Sequence, residues 1–202
     1  MEHKHKGKKK KPPYFAEYRP NSGGNILNNL EKFGVMDTLI FDVDGVLTNS
    51  ELIVLETGHL LRKMNTRDGY ALKRAVDMGL RVAIITGGRS AGVIDRLRGL
   101  GITDIYSGAS DKLEVYEELV YTYDLNEETI LYMGDDVPDL EPMRRVGLPV
   151  CPKDAAHEIR NIALYVSPIE GGRGCARDVI EKVLRLKNKW LDEPRLTARK
   201  DA

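Results

Sequence analysis

From about Val35 onward, short apolar runs of strand length alternate with segments whose apolar residues recur at helical spacing, and this alternation limits the fold more than any other feature. "TLIFDV", "LRVAIIT", "DIYS", "TILYMG", "LPV" and "LYVS" read as strands. Between them, "RDGYALKRAVDMG", "SAGVIDRLRGLG", "KLEVYEELVYTY", "DLEPMRRVG" and "AAHEIRNIA" read as helices, and a last helix runs from about Arg177 to Trp190. Several stop at a glycine such as Gly79 or Gly101, and Asp68 reads as the cap of the first. Strands that alternate with helices make a parallel sheet covered on both faces, so the fold class is α/β with a doubly wound, Rossmann-like sheet.

One element breaks the alternation. Within "ELIVLETGHLLRKMN", residues 51–64 read as a β-hairpin turning at Thr57 and Gly58. Leu52, Ile53, Val54 and Leu55 are consecutive, so their side chains point to both faces of the strand. The domain core can cover one face only, which implies a second burying surface.

At 202 residues the chain suits one domain with tails. The expected organisation is a basic leader and irregular linker over 1–34, one domain over 35–190 and a tail over 191–202. Within the linker, "NILNNLEKF" admits a short helix. Residues 1–11 carry six lysines against one glutamate, so with a formal net charge of zero the remainder is net negative by five. The lysines have no interleaved aromatic residue, and the acidic domain disfavours a phosphate-backbone footprint, so the leader reads as a solvated tail and nucleic acid is not an expected partner. No apolar run approaches the roughly 20 residues of a membrane span, and no secretory leader is apparent. Two cysteines, Cys151 and Cys175, outside any metal-type pair suit a reducing cytoplasm.

In open α/β sheets, ligands bind beyond the carboxyl ends of the strands. There the sequence places Asp42, Asp44 and Gly45 after the first strand, and Thr86, Gly87 and Gly88 after the second. The third is followed by Ser110, Asp111 and Lys112, and the fourth by Gly134, Asp135 and Asp136, with Asp139 a turn later. Carboxylates crowded to about 4 Å repel by about 4 kcal/mol per pair at an effective dielectric of 20, so a cation is expected among them. Oxygen-only ligands favour a hard one, Mg²⁺. Asp42 and Asp44, two apart on extended chain, project to one side, so one can attack phosphorus while the other exchanges a proton with the leaving oxygen. Lys112 in a first helical turn opposes the helix dipole, which a phosphate at that point would justify. Such chemistry is phosphoryl transfer.

Over residues 36–188 this register resembles the haloacid dehalogenase superfamily: "DVDGVLT" is similar to its first motif, Thr86 of "IITGG" to its second, Lys112 to its third and "GDDVPD" to its fourth. The resemblance implies Asp42 as nucleophile and Asp44 as general acid/base. It also implies Mg²⁺ held by Asp42, the Asp44 carbonyl and Asp135, with Thr86 and Lys112 gripping the phosphoryl group. Asp136 and Asp139 would orient Lys112 and the metal's waters.

The gaps between Gly45 and Thr86, and between Thr86 and Lys112, are too short for a cap domain, so the open site must serve a large substrate or be closed by another subunit. The stretches "FDVDGVLT", "MNTRDGYALK", "GITDIYSGASDK", "YMGDD" and "EGGRGCARDVIEKVL" resemble the capless 3-deoxy-D-manno-octulosonate 8-phosphate phosphatases. That resemblance implies a sugar-phosphate substrate, a homotetramer built through hairpin 51–64, and a site completed by the neighbour's hairpin and glycine-rich C-terminal region. Gly45, Arg67, Gly87, Arg89 and Arg173 are then the substrate-binding candidates. Gly171, Gly172 and Gly174 around Arg173 would offer exposed amides to a sugar carboxylate. One position departs: where the octulosonate enzymes carry Arg after "ITG", and nine-carbon ulosonate relatives carry Glu, this chain has Gly88 followed by Arg89. The competing readings are a nine-carbon ulosonate phosphatase, a nucleic-acid 3′-phosphatase, a receiver domain and a non-enzymatic scaffold. The order of the aspartate motifs disfavours the receiver, and the full set of site residues disfavours the scaffold.

Overall fold

The computed structural model describes residues 29–191; the basic leader and residues 192–202, including all but the first residue of the expected tail, lie outside the described residues. Helix α1 (Asn29–Lys32) runs into a single tight turn, Phe33–Val35, and then strand β1 (Thr38–Phe41). Strands β2 (Ile53–Val54) and β3 (Leu60–Leu61) form the hairpin. Next come α2 (Thr66–Asp77), β4 (Arg81–Thr86), α3 (Ala91–Arg98), β5 (Asp104–Ser107) and α4 (Lys112–Tyr123). The chain continues through β6 (Ile130–Met133), α5 (Leu140–Met143), β7 (Leu148–Cys151), α6 (His157–Ile162), β8 (Tyr165–Val166) and α7 (Cys175–Leu186).

The main sheet has the order β5-β4-β1-β6-β7-β8 and every pairing in it is parallel. From β1 the chain first winds outward through β4 and β5, then returns to the other side of β1 and winds outward through β6, β7 and β8. The winding direction therefore reverses beside β1, and a crevice opens beyond its carboxyl end. Alternation along β1 feeds two cores. Leu39 and Phe41 face the layer of α2, α3 and α7, while Ile40 faces α4, α5 and α6. Burying each such side chain contributes about 1.5–3 kcal/mol, so the register of the central strand is firmly held.

Three details differ from the sequence reading. The cap of α2 is Asn65, whose side chain accepts from the Arg67 amide at 2.8 Å. Asp68 falls three residues later, inside the first turn, where it is 2% exposed and accepts from the Arg177 amide at the start of α7 (2.7 Å). An acidic residue at the third helical position serves the macrodipole as well as a cap would, which is why the sequence alone does not separate the two. Second, the fold starts upstream of Val35: Phe33 is fully buried and meets Tyr165 edge-on at 5.3 Å between ring centroids. Third, the hairpin turns neither face to the core. Leu52, Ile53, Val54, Leu55, Leu60 and Leu61 are all between 40% and 70% exposed, so the apolar surface left open is larger than expected. Among the described residues no helix is long and apolar enough to cross a membrane.

Phe33→Ala should cost about 3–5 kcal/mol of folding stability, as removal of a fully buried ring does. Chemical denaturation checks this, and an unchanged midpoint would place Phe33 outside the cooperative fold.

Candidate active site

Strand β1 is followed directly by Asp42, whose Oδ1 accepts from the amide of the next residue, Val43, at 2.6 Å. The chain then makes a wide turn over Val43–Leu47, closed by the Thr48 amide donating to the Val43 carbonyl (2.9 Å). Gly45 sits in this turn at φ 92°, and a Cβ on it would run into the Asp135 carboxylate. Only glycine supplies both the left-handed backbone and the clearance. The turn brings Asp42 and Asp44 to the edge of one cleft of about 380 Å³, also lined by Thr86, Gly87, Gly88, Lys112, Asp135, Asp136 and Asp139.

At its floor Lys112 is 7% exposed, with Nζ 2.8 Å from Asp42 Oδ2 and 2.8 Å from Asp139 Oδ1. Lys112 opens α4 directly after the cap Asp111, whose side chain accepts from the amides of Leu113 and Glu114. Burial by itself would lower the lysine's pKa, but the Asp139 and Asp42 charges outweigh it and hold the ammonium above its usual value. Asp139 is fully buried. Its Oδ1 also accepts from the Tyr132 hydroxyl at 2.8 Å, and its Oδ2 accepts from the Asp135 amide at 3.3 Å.

The carboxyl of Asp42 is pushed up to about 6 by burial, then by Asp139, against the pull of Lys112. Asp135 is pushed up to about 8 by burial and then by the Asp42 and Asp139 charges. Asp135 Oδ1 is buried with no hydrogen-bond partner. Carboxylate oxygens of Asp42, Asp135 and Asp139 lie within 4.8 Å of one another. An orphaned oxygen in a crowd of carboxylates, with oxygen donors only, fits a hard divalent cation. Asp42, Asp135 and Asp139 are the side chains close enough to hold it, and Asp139 also fixes Lys112.

The cleft brings together Asp42, Asp44, Thr86, Gly87, Lys112, Asp135, Asp136 and Asp139 from the sequence reading. Thr86 is 6% exposed and accepts from the Gly88 amide (3.1 Å), which leaves its hydroxyl proton to be donated. Asp136 is exposed and caps the Val137 amide, so the orientation of Lys112 comes from Asp139 and not from Asp136. Arg67, Arg89 and Arg173 are exposed and stand apart from the lining of the cleft, with Arg89 folded over Gly108.

The glycine run does not present free amides as expected. The Gly171 amide donates to Asp154 Oδ1 (2.9 Å) and the Gly172 amide to the Val46 carbonyl (2.9 Å). These glycines let the loop pack onto the backbone of the site turn, where a Cβ on Gly171 would meet the Gly45 carbonyl. Two site residues were not read from the sequence. Tyr132 looks like one more core residue of its strand, and Arg62 lies in a hairpin whose apolar residues suggested only assembly. Arg62 Nε and Nη2 fork onto Asp44 Oδ1 and Oδ2 at 2.7 and 3.0 Å.

These features define a phosphotransferase site on a haloacid dehalogenase-type sheet, and the model of the haloacid dehalogenase-like hydrolases matches residues 97–177. The 3-deoxy-D-manno-octulosonate 8-phosphate phosphatase KdsC of Yersinia pestis is 41% identical over 151 residues, 75% of this chain and 81% of its own. Its crystal structure at 1.95 Å superposes with a TM-score of 0.78 and 38% identity, covering 81% of this chain and 89% of that one. A Moraxella catarrhalis enzyme of the same name, solved in complex with magnesium ion, phosphate ion and KDO, superposes with a TM-score of 0.78 at 28% identity, over 88% of this chain and 100% of that one. The chain belongs to the 3-deoxy-D-manno-octulosonate 8-phosphate phosphatase family of haloacid dehalogenase-like hydrolases.

A divalent cation should therefore raise the melting temperature, because it relieves the mutual repulsion of Asp42 and Asp135 and binds only the folded state. Differential scanning fluorimetry with and without magnesium checks this. Asp135→Asn should abolish the response, and an equal shift in that variant would move the cation elsewhere.

Proposed function

We propose that the protein hydrolyses the phosphate monoester of 3-deoxy-D-manno-octulosonate 8-phosphate, releasing the octulosonate and inorganic phosphate. The observation that carries this reading is the buried Asp42–Lys112–Asp139 cluster in a chain 41% identical to a phosphatase of that name. Asp42 Oδ attacks phosphorus, and the bond to the sugar oxygen breaks as Asp44 gives that oxygen its proton. Water then attacks the aspartyl-phosphate while Asp44 takes a proton back, and phosphate leaves with Asp42 restored. The Lys112 ammonium, the Thr86 hydroxyl and the backbone at Gly87 hold the phosphoryl oxygens as charge develops on them. Asp42, the Asp44 carbonyl and Asp135 would hold Mg²⁺, which would supply charge neutralisation between the attacking carboxylate and the phosphate.

Asp42 is the one candidate nucleophile at the end of β1. Asp42→Asn should lower turnover by a factor of about 10³ or more, since an amide is no comparable nucleophile. Phosphate release is measured on a panel holding the octulosonate 8-phosphate, a nine-carbon ulosonate 9-phosphate and a DNA 3′-phosphate. The octulosonate should give the highest kcat/KM. Preference for the nine-carbon acid would reassign the sugar, and preference for the DNA end would overturn the substrate class. The buried, unpaired thiols of Cys151 and Cys175 are in keeping with a reducing cytoplasm.

The same reading includes a homotetramer formed through hairpin 51–64. Six exposed aliphatic side chains project from the hairpin, and burying each contributes about 1.5–3 kcal/mol in a symmetric assembly. A neighbouring copy would wall the open cleft, and Arg67, Arg89 and Arg173 contribute to the rim that the copies complete. Ile53→Glu or Val54→Lys should yield monomers by light scattering and raise KM for the sugar phosphate. Turnover of small aryl phosphates should survive. A wild-type protein that is monomeric at micromolar concentration would end this part of the reading.

A further inference from the structure

Arg62 follows directly on strand β3, yet its side chain is only 5% exposed because it turns from the hairpin towards the cleft. Its guanidinium occupies both carboxylate oxygens of Asp44, Nε on Oδ1 at 2.7 Å and Nη2 on Oδ2 at 3.0 Å. The remaining nitrogen, Nη1, donates to the Leu60 carbonyl at 3.4 Å and so ties the fork to its own strand. Thr48 Oγ1 adds a longer contact to Asp44 Oδ1, 3.4 Å. A planar, two-bond fork fixes the plane of a carboxylate as well as its position, which a point charge does not.

The opposite side of the pair is shaped to admit it. A Cβ on Gly88 would lie 2.9 Å from Asp44 Oδ2 and 3.1 Å from Arg62 Nη2. Any side chain at position 88 would press on the pair, so the missing side chain and the guanidinium belong to one arrangement. Asp44 itself is 34% exposed and lines the cleft.

We propose that Arg62 is a positioning residue for Asp44: the fork sets the orientation from which Asp44 meets the leaving oxygen, and so makes proton delivery depend on the hairpin being docked. This rests on the acid/base role given to Asp44 above. The consequence is specific to the leaving group. A sugar alkoxide departs poorly without a proton, whereas p-nitrophenolate departs without one. Loss of orientation should slow phosphoryl transfer from the sugar phosphate and spare transfer from p-nitrophenyl phosphate. A packing defect would slow both alike.

The test is the first-turnover rate of the full-length enzyme with magnesium, at saturating octulosonate 8-phosphate and at saturating p-nitrophenyl phosphate. Arg62→Ala should lower the rate on the sugar phosphate about tenfold or more, as part of a general-acid contribution of about 10²–10⁴, with KM nearly unchanged. The burst of p-nitrophenolate should stay within about threefold of wild type. Arg62→Lys should restore part of the sugar-phosphate rate, and Gly88→Ala, which disturbs the same pair without removing a charge, should reproduce the leaving-group signature. If Arg62→Ala does not fold, these two variants carry the same comparison. Equal losses on both substrates, a loss confined to KM, or an unchanged sugar-phosphate rate would overturn the proposal. Asp44→Asn separates the two levels. If it keeps the sugar-phosphate rate, the acid/base reading itself fails. If it loses that rate while Arg62→Ala keeps it, only the positioning role fails.

Discussion

The structure depends on one buried ammonium. Lys112 Nζ is held at 2.8 Å from each of two buried carboxylates, and the three groups come from three separate segments: Asp42 directly follows β1, Lys112 begins α4 after β5, and Asp139 follows β6. Burying any one of these charges without its partners would cost several kcal/mol, so the cluster is satisfied only when all three segments arrive together. The sheet order that puts β4 and β6 on either side of β1 is what lets them arrive. Even so, the cluster stays short of positive charge. With Asp135 included, three carboxylates face one ammonium, and burial, reinforced by the neighbouring carboxylates, raises the pKa of Asp42 and Asp135. A dication would fill that deficit and so let an anionic phosphoryl group enter among the carboxylates.

Around that floor the supporting residues divide by task. Tyr132 and the Asp135 amide donate to Asp139, which in turn accepts from Lys112. Gly45 gives the turn after β1 its left-handed step and leaves room for Asp135. The loop at Gly171 and Gly172 braces that turn from behind through Asp154 and the Val46 carbonyl. Asp44 stands apart, at the mouth, held by the hairpin's Arg62. The hairpin thus both exposes six aliphatic side chains and supplies the arginine that holds Asp44.

What could be read from the sequence was whatever has a local pattern. Period-two and period-3.6 hydrophobicity marked the strands of the main sheet and the helices of its two layers, and the strand ends then located Asp42, Thr86, Lys112 and Asp135. The α2 cap was misplaced because Asn65 and Asp68, three residues apart, both satisfy a helix start. Phe33 was passed over because one aromatic residue in a polar, proline-rich stretch carries no periodicity. Arg62 and Tyr132 act through partners 18 and seven residues away, a pairing that only the folded chain makes. The amides of the glycine run were taken as free for the same reason: their acceptors, Asp154 and Val46, are distant in sequence.

The central claim is that Asp42, charged beside Lys112 at the end of β1, becomes covalently phosphorylated during turnover. Rapid acid quenching of the magnesium-loaded enzyme with substrate, followed by peptide mapping by mass spectrometry, tests it directly. A phosphoryl group on the peptide carrying Asp42, appearing before free phosphate and absent from Asp42→Asn, is the predicted result. Phosphate formed in the first turnover with no phosphorylated peptide at any quench time, or with the label on another residue, would contradict the account.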